Sequence, residues 1–144
     1  MLNSAAIVLT HALEIWYSTL IMDTSHFKQK LEEELALLTK ELEGVGRINP
    51  SNLADWEAKP ADFNVLESDA NERADKVEEY EANSAVLKEL EIRHNNVKRA
   101  LQKIVDGSGT YGICEISNEP IEPERLEANP AARTCMKHMR ELSS

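Results

Sequence analysis

Two cysteines and a histidine near the C-terminus have the spacing of metal ligands. Cys114 is followed by Ser117, and after seventeen further residues Cys135 is followed by His138, giving a Cys-x2-Ser and a Cys-x2-His pair. Two tight turns that each offer two ligands can converge on one tetrahedral zinc ion. Serine is a very poor zinc ligand at neutral pH. The predicted ligands are therefore Cys114, Cys135 and His138, with water as the fourth.

The same residues leave other interpretations open. A zinc-free knuckle would pack both cysteines in a small apolar core with Ile113, Ile116, Ile121 and Leu126. An open three-ligand zinc ion can be catalytic, and a Cys114–His138 pair can act as a nucleophile. We expect no enzyme, because the short tail offers no obvious general base, oxyanion donors or substrate cleft. A Cys114–Cys135 disulfide is geometrically allowed but is not expected in the cytoplasm.

A second candidate cluster is acidic and lies near the middle of the chain. It contains Glu67, Asp69, Glu72 and Asp75. Carboxylate oxygens are hard ligands that suit magnesium. Acidic residues in the first turn of a helix also stabilise that helix through its dipole, by roughly 0.3–1 kcal/mol each. The residues alone favour this structural role, since charge runs are usually solvated faces.

A long helix separates the two candidate clusters. It is predicted from about Glu67 to Asp106, a stretch without Pro or Gly, and would be roughly 60 Å long at about 1.5 Å per residue. One face carries residues spaced by three and four. These are Ala70, Ala74, Val77, Tyr80, Ser84, Leu87, Leu90, His94, Val97, Leu101 and Ile104.

A shorter amphipathic helix precedes a linker over residues 45–66. Thr24 or Ser25 can cap its start, and Gly44 and Gly46 end it. Its apolar stripe is Phe27, Leu31, Leu35, Leu38 and Leu42. Two such helices bury their stripes most simply against each other. The predicted fold is therefore mainly α: an antiparallel two-helix coiled-coil hairpin over 24–106 and a small zinc-finger-like module over 107–144.

Residues 1–23 form an N-terminal extension that is apolar but interrupted by polar side chains. It lacks the long uncharged run of a membrane span and the basic start of a secretory signal. Our hypothesis is that Met22 is the true start, because Asp23 then opens a helix at once. Mass spectrometry of the native N-terminus tests this, and a peptide spanning Leu20 to Asp23 would contradict it.

The formal net charge is −10, from 26 acidic and 16 basic residues. Nucleic-acid binding through phosphates needs clustered Lys and Arg, so a direct, sequence-specific DNA contact is not expected. The acidic composition instead favours a basic protein partner or a metal-containing cleft. Two cysteines in a metal-type arrangement indicate a reduced, cytoplasmic protein.

The tail closely resembles the zinc finger of the DksA/TraR family of bacterial RNA polymerase-binding regulators. The family pattern is G-x-Y-G-x-C-x-x-C-G-x-x-I, then R-L-E-A, a Pro and a final C-x-x-C. The matching residues are Gly109, Tyr111, Gly112, Cys114, Ile121, Arg125, Leu126, Glu127, Ala128, Pro130 and Cys135. Ser117 and His138 stand where the family has cysteines. Asn118 replaces a turn glycine, and asparagine also tolerates left-handed backbone.

The resemblance implies a transcription regulator that binds RNA polymerase directly. In the family, an acidic coiled-coil tip with the signature Asp-x-x-Asp-x-Ala enters the secondary channel near the catalytic magnesium. Asp69, Glu72 and Ala74 form a similar Asp-x-x-Glu-x-Ala here, and Asp62 in Pro60-Ala61-Asp62 is a second candidate. The alternative is a structural coiled-coil adaptor with a metal-clipped or metal-free tail.

Overall fold

The computed structural model describes residues 23–60 and 70–142, and its main elements are helical. Helix α1 is Thr24–Val45, helix α2 is Ala70–Val105, and helix α3 is Pro123–Ala128. Strands β1 (Gly46–Asn49) and β2 (Asn52–Ala58) form a two-stranded antiparallel sheet, and a 3₁₀ turn spans Met136–His138. The predictions of a mainly α fold and of one long helix are confirmed. In the described part of the chain, no helix is long and apolar enough to cross a membrane.

The N-cap of helix α1 lies one residue before the predicted caps. The Asp23 carboxylate accepts hydrogen bonds from the backbone N–H groups of Ser25 (3.1 Å) and His26 (3.4 Å), so Asp23 is the N-cap rather than Thr24 or Ser25. The Ser25 hydroxyl also donates to Asp23, and these bonds lower the pKa of the Asp23 carboxyl, the hydroxyl first. The predicted stripe is confirmed at four positions, since Phe27, Leu31, Leu38 and Leu42 are buried.

The described chain divides into two compact units. The first contains residues 23–32 and 96–142, so it holds the start of α1, the end of α2 and the tail. In it the Phe27 and Tyr111 rings pack with centroids 5.9 Å apart, and Leu31, Val97 and Leu126 are almost fully buried. This unit carries the predicted metal ligands.

The second unit contains residues 33–60 and 70–95. Arg93 donates to Glu34 at 2.6–2.7 Å, and His94 Nε2 lies 3.3 Å from the Thr39 hydroxyl. The Thr39 hydroxyl donates its proton to the Leu35 carbonyl at 2.8 Å, so His94 must be the donor to Thr39. His94, predicted as a member of the α2 stripe, is therefore a buried, hydrogen-bonded residue.

The β-hairpin lies in what the sequence predicted to be a linker. Arg47 pairs directly with Glu57 and forms a 2.6 Å ion pair, and Asn49 accepts from the Ser51 N–H in the turn. Trp56 packs edge-on to His94, with ring centroids 6.5 Å apart. The strands contain few β-branched residues, so their sequence gave little signal. Pairing with each other and packing on the helical segments compensate for that low propensity.

The apolar stripe of α2 is buried only over part of its length. Leu87, His94 and Val97 are buried, whereas Val77 and Tyr80 are 44% and 41% exposed. Helix α2 has 36 residues and α1 has 22, and Gly46, which follows α1, already lies against Leu87. Among the described residues, the first turns of α2 thus extend past the helix that would cover them.

The contact at Gly46 gives a matched pair of glycine substitutions. A Cβ at Gly46 would overlap the Leu87 side chain and lie 2.9 Å from the Glu57 carbonyl oxygen, whereas a Cβ at Gly44 would meet nothing within 4 Å. We expect Gly46→Ala to lower the free energy of unfolding by about 1–3 kcal/mol, the usual cost of overpacking. Gly44→Ala should raise it by up to about 1 kcal/mol. Urea unfolding measures both, and equal effects would contradict the packing.

Candidate metal centre

The first knuckle of the tail is built from left-handed backbone positions. Gly109 and Gly112 have φ of 68° and 76°, and Asn118 has φ of 56°. The predicted role of Asn118 as a substitute for a turn glycine is therefore confirmed. The Cys114 N–H donates to the Glu119 carbonyl at 2.8 Å, and the Asn118 N–H donates back to the Cys114 carbonyl at 2.9 Å. The turn holds Cys114 and Ser117 on one side of a tight loop.

The second knuckle is held from outside by helix α3 and its flanks. Arg125 donates to the Thr134 carbonyl at 2.6 Å, and the Met136 N–H donates to Glu122 at 3.0 Å. The His138 N–H closes the 3₁₀ turn on the Cys135 carbonyl at 3.1 Å. These bonds fix the backbone on both sides of Cys135, so the direction of its side chain is set before any ligand arrives.

The three predicted ligands meet at one point. Their donor atoms all lie within 4.8 Å of one another, and both cysteines are buried and not disulfide-bonded. His138 Nδ1 lies 3.8 Å from Cys114 Sγ and 3.1 Å from Cys135 Sγ. Zinc–sulfur and zinc–nitrogen bonds of about 2.3 and 2.0 Å require tetrahedral donor separations of roughly 3.5–3.8 Å. The 3.8 Å separation meets this requirement, and the 3.1 Å separation is a few tenths of an ångström short. With a small shift of the Cys135 or His138 side chain, Cys114, Cys135 and His138 fit zinc, which would cross-link the two knuckles.

Ser117 stands at the fourth ligand position of the sequence pattern. Its hydroxyl oxygen is buried and has no partner with hydrogen-bond geometry in the described structure. Burial opposes the Cys114 thiolate, but the nearby Ser117 side chain and the backbone N–H groups of Ser117, Cys135 and Ile116 outweigh it and lower the Cys114 pKa to about 6. The thiolate is the metal-binding form of cysteine. The Ser117 hydroxyl thus acts on Cys114, and its buried oxygen has no other partner among the described residues, which fits a site that would hold a metal ion beside the thiolate.

The metal-free core weighed above is only partly present. Ile121 and Leu126 are buried at 4% and 1% exposure, but Ile116 is 37% exposed. The apolar cluster of the tail is thus smaller than the sequence suggested. Zinc would supply the cross-link that so small a core lacks.

A carboxylate beside the cluster joins two cations that the sequence analysis did not single out. Glu115 accepts from Lys103 at 3.0 Å and from two nitrogens of Arg133 at 2.9 and 2.6 Å. Arg133, then Lys103, lower the pKa of Glu115 to about 2. The partners are 12 and 18 residues away in sequence, a separation with no periodic signature, so no sequence pattern could have indicated them.

Other polar contacts fasten the tail to the start of α1. Glu127 accepts from His26 at 3.0 Å and from Lys30, both on α1. Within the tail, the Tyr111 hydroxyl donates to the Pro130 carbonyl at 2.9 Å. Lys30, with a smaller contribution from His26, lowers the pKa of Glu127. Tyr111 and Glu127 belong to the family pattern seen in the sequence, and here they have structural roles.

Only two of the four residues of the predicted acidic tip are among the described residues. Asp62 and Asp69 lie outside the described residues. Glu72 and Ala74 lie near the start of α2 and are exposed, and Glu72 is in its first turn. The structure therefore brings the three metal ligands together but does not test the proposed tip.

Fold and site together define a small, mainly helical protein with a zinc-knuckle tail. Residues 109–137 match the model of the prokaryotic dksA/traR C4-type zinc finger, a match that ends one residue before His138. The resemblance of the tail to the DksA/TraR zinc finger, inferred from the sequence, is therefore confirmed over these residues. Its ligand set departs from C4, because Ser117 and His138 replace two cysteines.

The similarity of this chain to known proteins is of two kinds. General stress protein 16O of Bacillus subtilis is 54% identical over 41 residues, which cover 28% of this chain and only 24% of that protein. The structure of transcription factor DksA2 from Pseudomonas aeruginosa aligns with a TM-score of 0.60 and 20% identity, over 82% of this chain and 81% of the other. The first likeness is local, and the second concerns the fold.

The fourth corner of the site can be tested by substitution. We expect Ser117→Cys to tighten zinc binding by at least about tenfold, because a thiolate replaces a poor direct ligand and even changes to outer-shell groups alter metal affinity by about 10- to 100-fold. Competition with a chromophoric chelator measures the affinity, and cobalt absorption reports the number of thiolates.

Ser108→Cys is the matched control, since it adds a thiol at an exposed position outside the cluster. It should leave the zinc affinity unchanged. Equal affinities for Ser117→Cys and the parent chain would show that Ser117 does not face the metal.

Proposed function

We propose that this protein is a cytoplasmic transcription regulator that binds RNA polymerase directly. Its two long helices form an antiparallel coiled-coil hairpin over 24–106 whose acidic tip enters the secondary channel. The module over 107–144 docks on the outside of the enzyme. It changes transcription initiation without contacting DNA sequence, and it catalyses no reaction of its own.

The observation that carries the proposal is the extent of the fold likeness. The alignment with a protein described as a transcription factor covers about four fifths of both chains, so it includes helices as well as the finger. The finger match over residues 109–137 supports the same family independently. A likeness confined to the finger would have supported a zinc module alone.

The charge distribution supports a protein partner over a nucleic-acid partner. The chain carries a net charge of −10, which opposes approach to phosphate backbones. Glu72, Asp75, Glu78 and Glu79 are exposed along the first turns of α2. Carboxylates on a narrow helical support can be carried into a channel and placed near a magnesium ion or a basic loop.

The tip can be separated from binding by removing two charges. We expect the double variant Asp69→Asn with Glu72→Gln to co-purify with core RNA polymerase as the parent chain does, while its effect on open-complex lifetime is lost. In vitro transcription and a pull-down measure the two properties on the same preparations. Unchanged transcription would remove Asp69 and Glu72 from the mechanism.

A matched control removes two charges elsewhere on α2. Glu81→Gln with Glu89→Gln changes the net charge equally at exposed positions further along the helix. This variant should keep both binding and the transcriptional effect. A loss of effect in both double variants would point to overall charge instead of the tip.

The rival function, a coiled-coil adaptor, makes a different prediction. It requires self-association and no polymerase contact, which light scattering and the pull-down detect. The exposed Val77 and Tyr80 side chains on α2 are the surface that such self-association would use. A stable dimer that captures no polymerase would replace the regulator proposal with this one.

A further inference from the structure

A small cationic pocket lies in the tail-bearing unit, away from the three metal ligands. Its walls come from the last turns of α2 and from two tail segments around Tyr111 and Arg133. The empty volume is about 230 Å³, including the part open to solvent. Most of this volume is open to solvent, so an ion would be held at the mouth of the pocket by the lining side chains and not enclosed.

The charge of the pocket contrasts with that of the chain. Arg99, Lys103 and Arg133 line it together with the Asn96 amide, and none of its lining residues is acidic. The chain as a whole has a net charge of −10. Three cations converging from two separate segments on one pocket therefore form a local positive field in an acidic protein.

Glu115 holds two of these cations in place from outside the pocket. It accepts hydrogen bonds from Lys103 Nζ and from the Nε and Nη2 atoms of Arg133. The Lys103 side chain is 24% exposed and the Arg133 side chain is 31% exposed. Ordering them in advance lowers the entropy cost of binding a ligand. One negative charge against three positive ones leaves a net charge of +2 for the group.

Arg99 completes the set. No ion pair joins it to another described residue, so its guanidinium is not neutralised within that part of the chain. A guanidinium offers five N–H donors in a planar fork that matches the oxygen atoms of phosphate. The Arg99 fork, the Arg133 N–H groups that Glu115 does not use, the Lys103 ammonium and the Asn96 amide provide donors for several oxygens of one anion.

We propose that this pocket binds a single phosphate-type oxyanion, either inorganic phosphate or the terminal phosphate of an ester. The net charge of +2 favours a doubly charged ligand over a single carboxylate. Arg99 and Arg133 contact its oxygens, Lys103 contributes charge, and Glu115 positions two of the three cations. Residues of this chain alone form the site, so phosphate binding does not depend on polymerase binding.

The test is a titration of the full chain as purified with inorganic phosphate, at constant ionic strength set with sodium chloride. The amide resonances of Gly112 and Ala132 should shift saturably, with a dissociation constant on the order of 1 mM. Arg99→Gln should weaken binding about tenfold, because it removes one charge-assisted donor. Circular dichroism confirms that this variant keeps its helices.

Arg73→Gln is the matched control, since it makes the same change at an exposed position near the start of α2. It should bind phosphate as the parent chain does. A second titration, with glycerol 3-phosphate, distinguishes the source: tighter binding than phosphate indicates an ester ligand, and equal or weaker binding indicates the free ion.

Two results would overturn the proposal. One is a linear, non-saturating response of Gly112 and Ala132 to both anions. The other is equal binding by the parent chain and Arg99→Gln. Because no polymerase is present, either result would leave the proposed regulator function untouched.

Discussion

The convergence of three donor atoms on one buried point is the constraint on which the tail depends. Cys114 and Cys135 are 21 residues apart in sequence, yet their sulfurs and His138 Nδ1 lie within 4.8 Å. Thiols and an imidazole gain little by packing together without a metal, so the backbone must hold them there. The left-handed turn at Asn118 and the hydrogen bond from Arg125 to the Thr134 carbonyl fix the backbone on which these ligands stand.

Ser117, which stands where the family pattern has a cysteine, changes the set of metal ligands but not the backbone turn that carries them. A closed tetrahedral site needs four good ligands, and this chain offers three with a buried hydroxyl at the fourth position. Such a set binds zinc less firmly than four thiolates would. The hydrogen bonds around Cys135 and the Glu115 ion pairs then have to support more of the fold of the tail than they would in a C4 finger.

Periodicity and spacing predicted what depends on local sequence. The predicted ligands Cys114, Cys135 and His138 and the stripe of α1 follow from residue type and spacing, and the left-handed Asn118 follows from its place in the family pattern. The β-hairpin was missed because its strands have low β-propensity and exist through mutual pairing. The exposure of Val77 and Tyr80 was missed because a stripe identifies a face but not the length of the helix that covers it.

Net charge and local charge act over different distances, which allows an acidic chain to contain a cationic pocket. Exposed charges are screened beyond about 8 Å at physiological ionic strength. The surplus carboxylates of the helices therefore discourage broad contact with nucleic acid, while Arg99, Lys103 and Arg133 dominate the field at contact range. Glu115 has two effects on this local field. It reduces the repulsion between Lys103 and Arg133, and it orders their side chains. Without Glu115, two like charges would lie close together with less ordered side chains. The carboxylate therefore weakens the positive field but holds the cations where a ligand can bind them.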